Sequence, residues 1–275
     1  MGGVAEYAVR QDGSLAEVTV RRGGHDADAD VTELAAAAAG PGGAGPAAGL
    51  IASAGTDGRS LLWDFRQPAK PALHAPRCRR DVNAVALAPE GGGGGGGGGG
   101  DGAAGPLLAC AGDDGVVRVY DVRQLCSGGG GGSATASTSA AAAGPAPALH
   151  RLKGHGCRVL QLAFSPHHSR LLASADALGR VLLWELGRTT PLPEGLASQP
   201  ELLFVHAGHV LPVDDVSWST ELYGALASTA GFLDVEQVEG LTAAAAEGGL
   251  EVQGPVVQVW QPAADLLPKV AAAAN

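Results

Sequence analysis

Short apolar runs recur along the chain, each closing on an aromatic residue. Four of them end alike: Ser60-Leu61-Leu62-Trp63-Asp64-Phe65-Arg66, Val117-Arg118-Val119-Tyr120-Asp121-Val122-Arg123, Arg180-Val181-Leu182-Leu183-Trp184-Glu185-Leu186 and Val256-Val257-Gln258-Val259-Trp260-Gln261. Ahead of each lies a run of small and aliphatic residues: Leu50-Ile51-Ala52-Ser53, Leu107-Leu108-Ala109-Cys110, Leu171-Leu172-Ala173-Ser174 and Ala225-Leu226-Ala227-Ser228. Turn formers such as Thr56-Asp57-Gly58 and Asp113-Asp114-Gly115 sit between the paired runs and predict β-hairpins. A Gly-His pair stands upstream in three segments, at Gly24-His25, Gly154-His155 and Gly208-His209. Each pair leads into another apolar run, such as Val159 to Phe164 or Val213 to Trp218. Every segment thus predicts three strands, with a fourth running to the next Gly-His.

The spacing makes this a repeat. From His155 to Trp184 is 29 residues without interruption. From His25 to Trp63 is 38, with an Ala/Gly/Pro filler from Ala35 to Ala48 in place of a short turn. From Cys78 to Tyr120 is 42, about 13 of which belong to the glycine run Gly91–Gly100 and its flanks. From His209 to Trp260 is 51, and removing the 22 residues from Leu233 to Gly254 returns 29. Every insert falls between strands, where insertions are tolerated. This is the pattern of the WD repeat, and the expected fold is all-β, a WD-repeat β-propeller with about four legible blades. The expected division is a segment 1–23 offering an outer strand of a preceding blade, then repeats over 24–77, 78–149, 150–200 and 201–262, and a tail 263–275. Inserts 91–105, 127–147 and 233–254 should lie outside the sheets as disordered Gly/Ala-rich tracts.

Composition narrows the function. Glycine supplies 44 of 275 residues, and alanine inflates the 45% hydrophobic content, while aromatics reach only 4%. The low-complexity tracts cannot bury enough apolar surface to offset their ordering entropy. A net charge of -10 argues against a nucleic-acid surface and suits a basic protein partner. Cys78, Cys110, Cys126 and Cys157 show no CxxC spacing and no His-rich company, so neither a zinc site nor a disulfide framework is expected, and a reducing compartment fits. No signal peptide or long apolar span is legible, so no membrane is expected.

The recurrent polar residues read as structure. The Gly-His histidine can bond a turn Asp and a strand Ser, which reaches the Trp indole. The first repeat has His25, Ser53, Asp57 and Trp63; the third has His155, Ser174 and Trp184, with Leu178 where the turn Asp is expected; the fourth has His209, Ser228 and Trp260. The second has Cys78 for His and Tyr120 for Trp. No phosphate-binding loop, GxSxG or HExxH is present, and His167-His168 reads as a polar turn rather than a metal site. No enzyme, cofactor or metal is expected.

Beyond the generic repeat, one stretch carries a closer resemblance: Pro200-Glu201-Leu202-Leu203-Phe204-Val205-His206-Ala207-Gly208-His209, then Val213-Asp214-Asp215-Val216-Ser217-Trp218, and Gln258-Val259-Trp260-Gln261. It is similar to the histone-binding WD-repeat proteins of the MSI and retinoblastoma-binding type, and the His-Ala-Gly-His tetrapeptide at 206–209 resembles the plant FVE type. The resemblance implies a seven-blade fold with an N-terminal helix, of which four blades are legible. It implies a nuclear, histone-binding chromatin regulator in deacetylase, chromatin-assembly or Polycomb-type complexes. It also implies an acidic ring near the propeller axis that receives histone tails, carried here by Asp30, Asp81 and Asp214, with Arg158 in place of an acid. The acidic loop preceding the PELLF stretch in the family is reduced here to Glu194. The alternative is a substrate receptor of a cullin-type E3 ubiquitin ligase. Its adaptor would read Trp63-Asp64-Phe65-Arg66 as a WDxR box, with Arg66 as contact and Trp63 and Asp64 as support.

Overall fold

The computed structural model describes residues 3–9, 14–22, 24–36, 49–66, 73–89, 106–126, 147–189, 199–231 and 256–268. Inserts 91–105 and 233–254, and 127–147 apart from its last residue, lie outside the described residues. Strands β1 (Gly3–Val9) and β2 (Leu15–Arg22) form an antiparallel hairpin. Four larger sheets follow in chain order. The first contains β3 (Val31–Ala36), β4 (Leu50–Gly55), β5 (Ser60–Asp64) and β6 (Leu73–His74). The second contains β7 (Val82–Leu87), β8 (Leu107–Gly112), β9 (Val116–Asp121) and β10 (His150–Lys153). The third contains β11 (Val159–Phe164), β12 (Leu171–Asp176), β13 (Val181–Glu185) and β14 (Leu202–His206). The fourth contains β15 (Val213–Trp218), β16 (Leu226–Ala230) and β17 (Val256–Trp260). The one helix among the described residues is the single turn α1 (Val122–Cys126).

Each sheet is an antiparallel meander whose first strand lies innermost. The inner strands β3, β7, β11 and β15 are neighbours in that order, so the sheets stack as blades. Outer strands β10 and β14 pair back onto β9 and β13, so residues 150–153 and 202–206, which lead to the next Gly-His, close the second and third blades. The expected filler from Ala35 begins two residues too early: Ala35 and Ala36 still pair with Ala52 and Ile51, because small side chains fit a strand end beside β4.

The core lies between the blades. Residues of a strand alternate between two faces, and each face packs on a different neighbour. In the second blade Val85, Leu108, Cys110 and Tyr120 pack on Leu50, Ala52 and Leu62 of the first. Ala84, Ala109, Val117 and Val119 pack on Leu162, Leu172, Leu182 and Trp184 of the third. A further cluster joins Leu171, Leu183, Val216 and Trp218 across the third and fourth blades. At about 25 cal/mol per Å2, this alternating burial is the main stabilising term.

Every inner strand carries a bulge after its first residue: the register shifts between Val31 and Glu33, Val82 and Ala84, Val159 and Gln161, and Val213 and Asp215. The bulged residue is turned toward the next blade. Thr32 Oγ1 donates to the Val82 carbonyl at 2.6 Å, and Asn83 Nδ2 to the Val159 carbonyl at 3.1 Å. Leu160 holds the same position in the third blade and has no side-chain donor. Hairpin glycines also bring blades together: at Gly58 (φ 74°) a Cβ would lie 2.5 Å from the Cys78 carbonyl, so only glycine fits.

Candidate functional site

Two sets of polar residues repeat from blade to blade. The first lies within each blade. Trp63 Nε1 donates to Ser53 Oγ at 2.9 Å, and Ser53 meets His25 Nε2 at 2.9 Å. His25 Nδ1 donates to Asp57 at 3.0 Å. The third blade repeats the chain, with Trp184 to Ser174 at 2.7 Å, Ser174 to His155 at 2.6 Å and His155 Nδ1 to a carboxylate at 2.8 Å. That carboxylate belongs to Asp176, two positions upstream of Leu178. Asp176 ends β12 two residues after Ser174, and a two-residue step along a strand stays on the same face. In the first blade the position matching Asp176 is Gly55, where an added Cβ would lie 2.6 Å from His25 Nδ1 and 2.9 Å from Asp57 Oδ1. The two sites are alternative ways of placing one carboxylate in one space.

Burial pushes both carboxyls up, and hydrogen bonds outweigh it. The Asp26 amide, His25 and the Arg59 amide hold Asp57 below the usual carboxylate range. His155 and the Arg180 amide, with the Arg180 guanidinium, bring Asp176 down to about 2. The fourth blade keeps His209 Nε2 with Ser228 Oγ at 2.7 Å and Trp260 Nε1 with Ser228 Oγ at 3.0 Å. It has Ala230 at the Asp176 position, and His209 Nδ1 is buried without a partner among the described residues. Burial and the adjacent His206 lower the His209 pKa, and Asp214 partly offsets this. His206 stacks on Trp260 at 4.2 Å and meets Gln258 at 2.7 Å, so the family-like tetrapeptide packs into this blade. In the first and third blades the histidine and the acid serve one another.

The second set lines the starting ends of the inner strands. Asp30, Asp81 and Arg158 occupy one position, the residue before the strand, and Pro212 takes it in the fourth blade. Asp30 and Arg158 are exposed, and Asp81 is half-buried. Asp214 is not equivalent to them; it is the bulged residue, matching Thr32, Asn83 and Leu160. One step further in lie Glu33, Ala84, Gln161 and Asp215, which the sequence reading did not single out. Glu33 accepts a 2.6 Å hydrogen bond from the Val85 amide, and Gln161 Nε2 donates to Asp215 at 3.3 Å. Gln161 also bonds Glu33. Burial raises the Glu33 carboxyl to about 7 against these hydrogen bonds, and Asp215 adds to the rise. The signal in the sequence is an acid or amide two residues after the first valine of the inner strand, visible only once the bulge is known.

Arg66, the expected adaptor contact, folds onto Asp64 through Nε at 2.9 Å and Nη2 at 3.1 Å. Trp63 is buried. The same turn recurs in the second blade, where the Arg123 amide donates to Asp121 at 2.8 Å. His167 Nε2 meets the Ser219 carbonyl at 3.0 Å, a contact between blades.

The antiparallel sheets with their repeated Trp-Ser-His chains are blades of a WD-type β-propeller. The family model of the WD domain, G-beta repeat, matches residues 147–185, which span β10 to β13. Two curated relatives share the name "Histone acetyltransferase type B subunit 2". The chain is 38% identical to the one from Debaryomyces hansenii over 26% of its own length and 18% of the relative's. It is 23% identical to the one from Candida glabrata over 65% of its length and 35% of the relative's. The chain thus spans about a third or less of the relatives it matches.

Proposed function

We propose that this chain is a non-enzymatic WD-repeat scaffold that binds core histones as a nuclear subunit of a chromatin-regulating complex of the deacetylase, chromatin-assembly or Polycomb type. The observation that carries the reading is the set of carboxylates at one end of the inner strands: Asp30, Asp81 and Asp214, with Asp215 further in. Histone tails are rich in Lys and Arg, and such a cluster attracts them at long range in a salt-dependent way. Arg158 opposes that attraction. The names of the two relatives support the histone-associated reading. The finer likeness to the FVE type rests on the tetrapeptide 206–209. The ligase-receptor alternative would use Arg66 as its contact, which Asp64 supports through Nε at 2.9 Å while the arginine side chain stays 45% exposed. Pull-down with the intact chain tests the reading: retention of core histones without the ligase adaptor is the expected result, and retention of the adaptor alone would overturn it.

A further inference from the structure

The second blade replaces the whole pin that the other blades share. Cys78 stands where His25, His155 and His209 stand, and Cys110 where Ser53, Ser174 and Ser228 stand. Tyr120 takes the Trp position. A fourth change accompanies these three. Across the hairpin from the Ser position lie Leu61, Leu182 and Gln258 in the other blades, and Arg118 in this one. The turn carboxylate Asp114, equivalent to Asp57, is drawn away from the His position to Arg118 at 2.5 Å and 3.1 Å.

The His and Ser positions touch in the three other blades, at 2.9, 2.6 and 2.7 Å. Here they place two cysteines in one group, with the partly buried Cys78 packed against the core cluster that contains Cys110. Cys110 is 0% exposed between β7 and β9, whereas Cys78 is partly exposed in the loop before β7. The surroundings are cationic: Arg118 on β9 and Arg151 on β10 face the pair, Arg79 and Arg80 follow Cys78, and Asp114 is the opposing charge. One reachable sulfur in a basic setting and one buried sulfur behind it is the arrangement of an attacking and a resolving cysteine.

We propose that Cys78 and Cys110 form an oxidisable dithiol, a covalent modification site that a hydroperoxide converts to a disulfide pinning the second blade. The Cys78 thiolate attacks one peroxide oxygen. The O–O bond breaks, a sulfenic acid forms on Cys78, and the departing oxygen leaves as water or alcohol after taking a proton. The Cys110 sulfur then displaces hydroxide from Cys78, and the Cys110 proton leaves with it as a second water. Two thiols lose two electrons and the peroxide gains them. The bond closes a span of 32 residues and restores covalently the link that His and Ser make elsewhere. The neighbouring Cys110 thiol and the Arg118 and Arg151 guanidinium groups lower the Cys78 thiol from its ordinary value, against the opposing effects of burial and Asp114. Burial pushes Cys157 up, with Asp176 adding to it.

The reduced full chain, treated with about one equivalent of hydrogen peroxide and then alkylated, tests this by peptide mapping. A cross-linked peptide joining Cys78 to Cys110 should form and persist in the Cys126→Ser/Cys157→Ser variant. Cys110→Ser restores the residue type of the other blades; it should abolish the cross-link and leave Cys78 as a sulfenic acid trapped by dimedone. Iodoacetamide should label Cys78 at least several-fold faster than Cys157 at pH 7, and the oxidised chain should melt several degrees higher than the reduced one. Absence of the Cys78–Cys110 peptide, cross-links formed mainly by other cysteines, or equal labelling of Cys78 and Cys157 would each overturn the proposal.

Discussion

The third and fourth blades start from the same Trp-Ser-His triad and end differently. In the third, His155 has a partner at each nitrogen, and Asp176 also binds Arg180 Nε at 2.9 Å and the Leu178 and Arg180 amides at 3.0 Å. In the fourth, His209 is 7% exposed, its Nδ1 is buried without a partner among the described residues, and the residue borders a small pocket that Ala230, Val256 and Gln258 also line. The triad alone is therefore enough to build a blade. The acid closes the network and makes that blade depend on a single buried carboxylate.

The largest effect should come from breaking the closed blade. Asp176→Ala strips partners from His155, Arg180 and two backbone amides, and a loss of about 3 kcal/mol is expected in urea denaturation. Ser228→Ala, in the open blade, should cost about 1 to 2 kcal/mol, since His209 already lacks one partner. Equal losses would show that the acid adds nothing. Acid titration separates the blades further. The folded Asp176 pKa lies below its ordinary value of 3.8, so its stabilisation is present above that value and disappears as pH falls toward about 2. His209 is depressed from 6.5, so the fourth blade should lose stability earlier, as pH falls below 6.5 and the unfolded chain takes up the proton first. Fluorescence of the Trp residues followed against pH should resolve the two steps.

A gain should follow from closing the open blade. Ala230→Asp places a carboxylate at the position of Asp176, facing the orphaned Nδ1. It should raise stability by about 1 kcal/mol and reverse the His209 titration, so that the loss below pH 6.5 vanishes. Destabilisation with an unchanged acid profile would mean that the pocket cannot admit the carboxylate.

These contrasts also mark what the sequence made legible. The strands were readable because apolar runs, hairpin turns and the Gly-His and Trp landmarks all repeat at one interval. The His25, Ser53 and Trp63 chain was readable because each residue type has one role at one spacing. Asp176 was not, because the carboxylate arrives from two residues upstream, and spacing along the chain does not reveal that Gly55 and Asp176 share a space. Glu33, Gln161 and Asp215 were hidden by the bulge, which shifts the inner-strand register by one residue and sets Asp214 on a different level from Asp30 and Asp81.

The smallest effect should be at the surface. Arg66→Ala removes a partly exposed pair with Asp64, and stability should change by no more than about 0.5 kcal/mol, measured by thermal melting. A larger loss would show that the turn after β5 anchors the blade.

The central claim is that carboxylates at the starting ends of the inner strands receive a basic tail. A fluorescent core-histone tail peptide titrated at low and moderate salt into the wild type, Arg158→Glu and Asp30→Asn/Asp81→Asn/Asp214→Asn tests it most directly. The account predicts binding that weakens with salt, tightens about fivefold in Arg158→Glu and is lost in the triple variant. Equal affinity for all three proteins at both salts would contradict it.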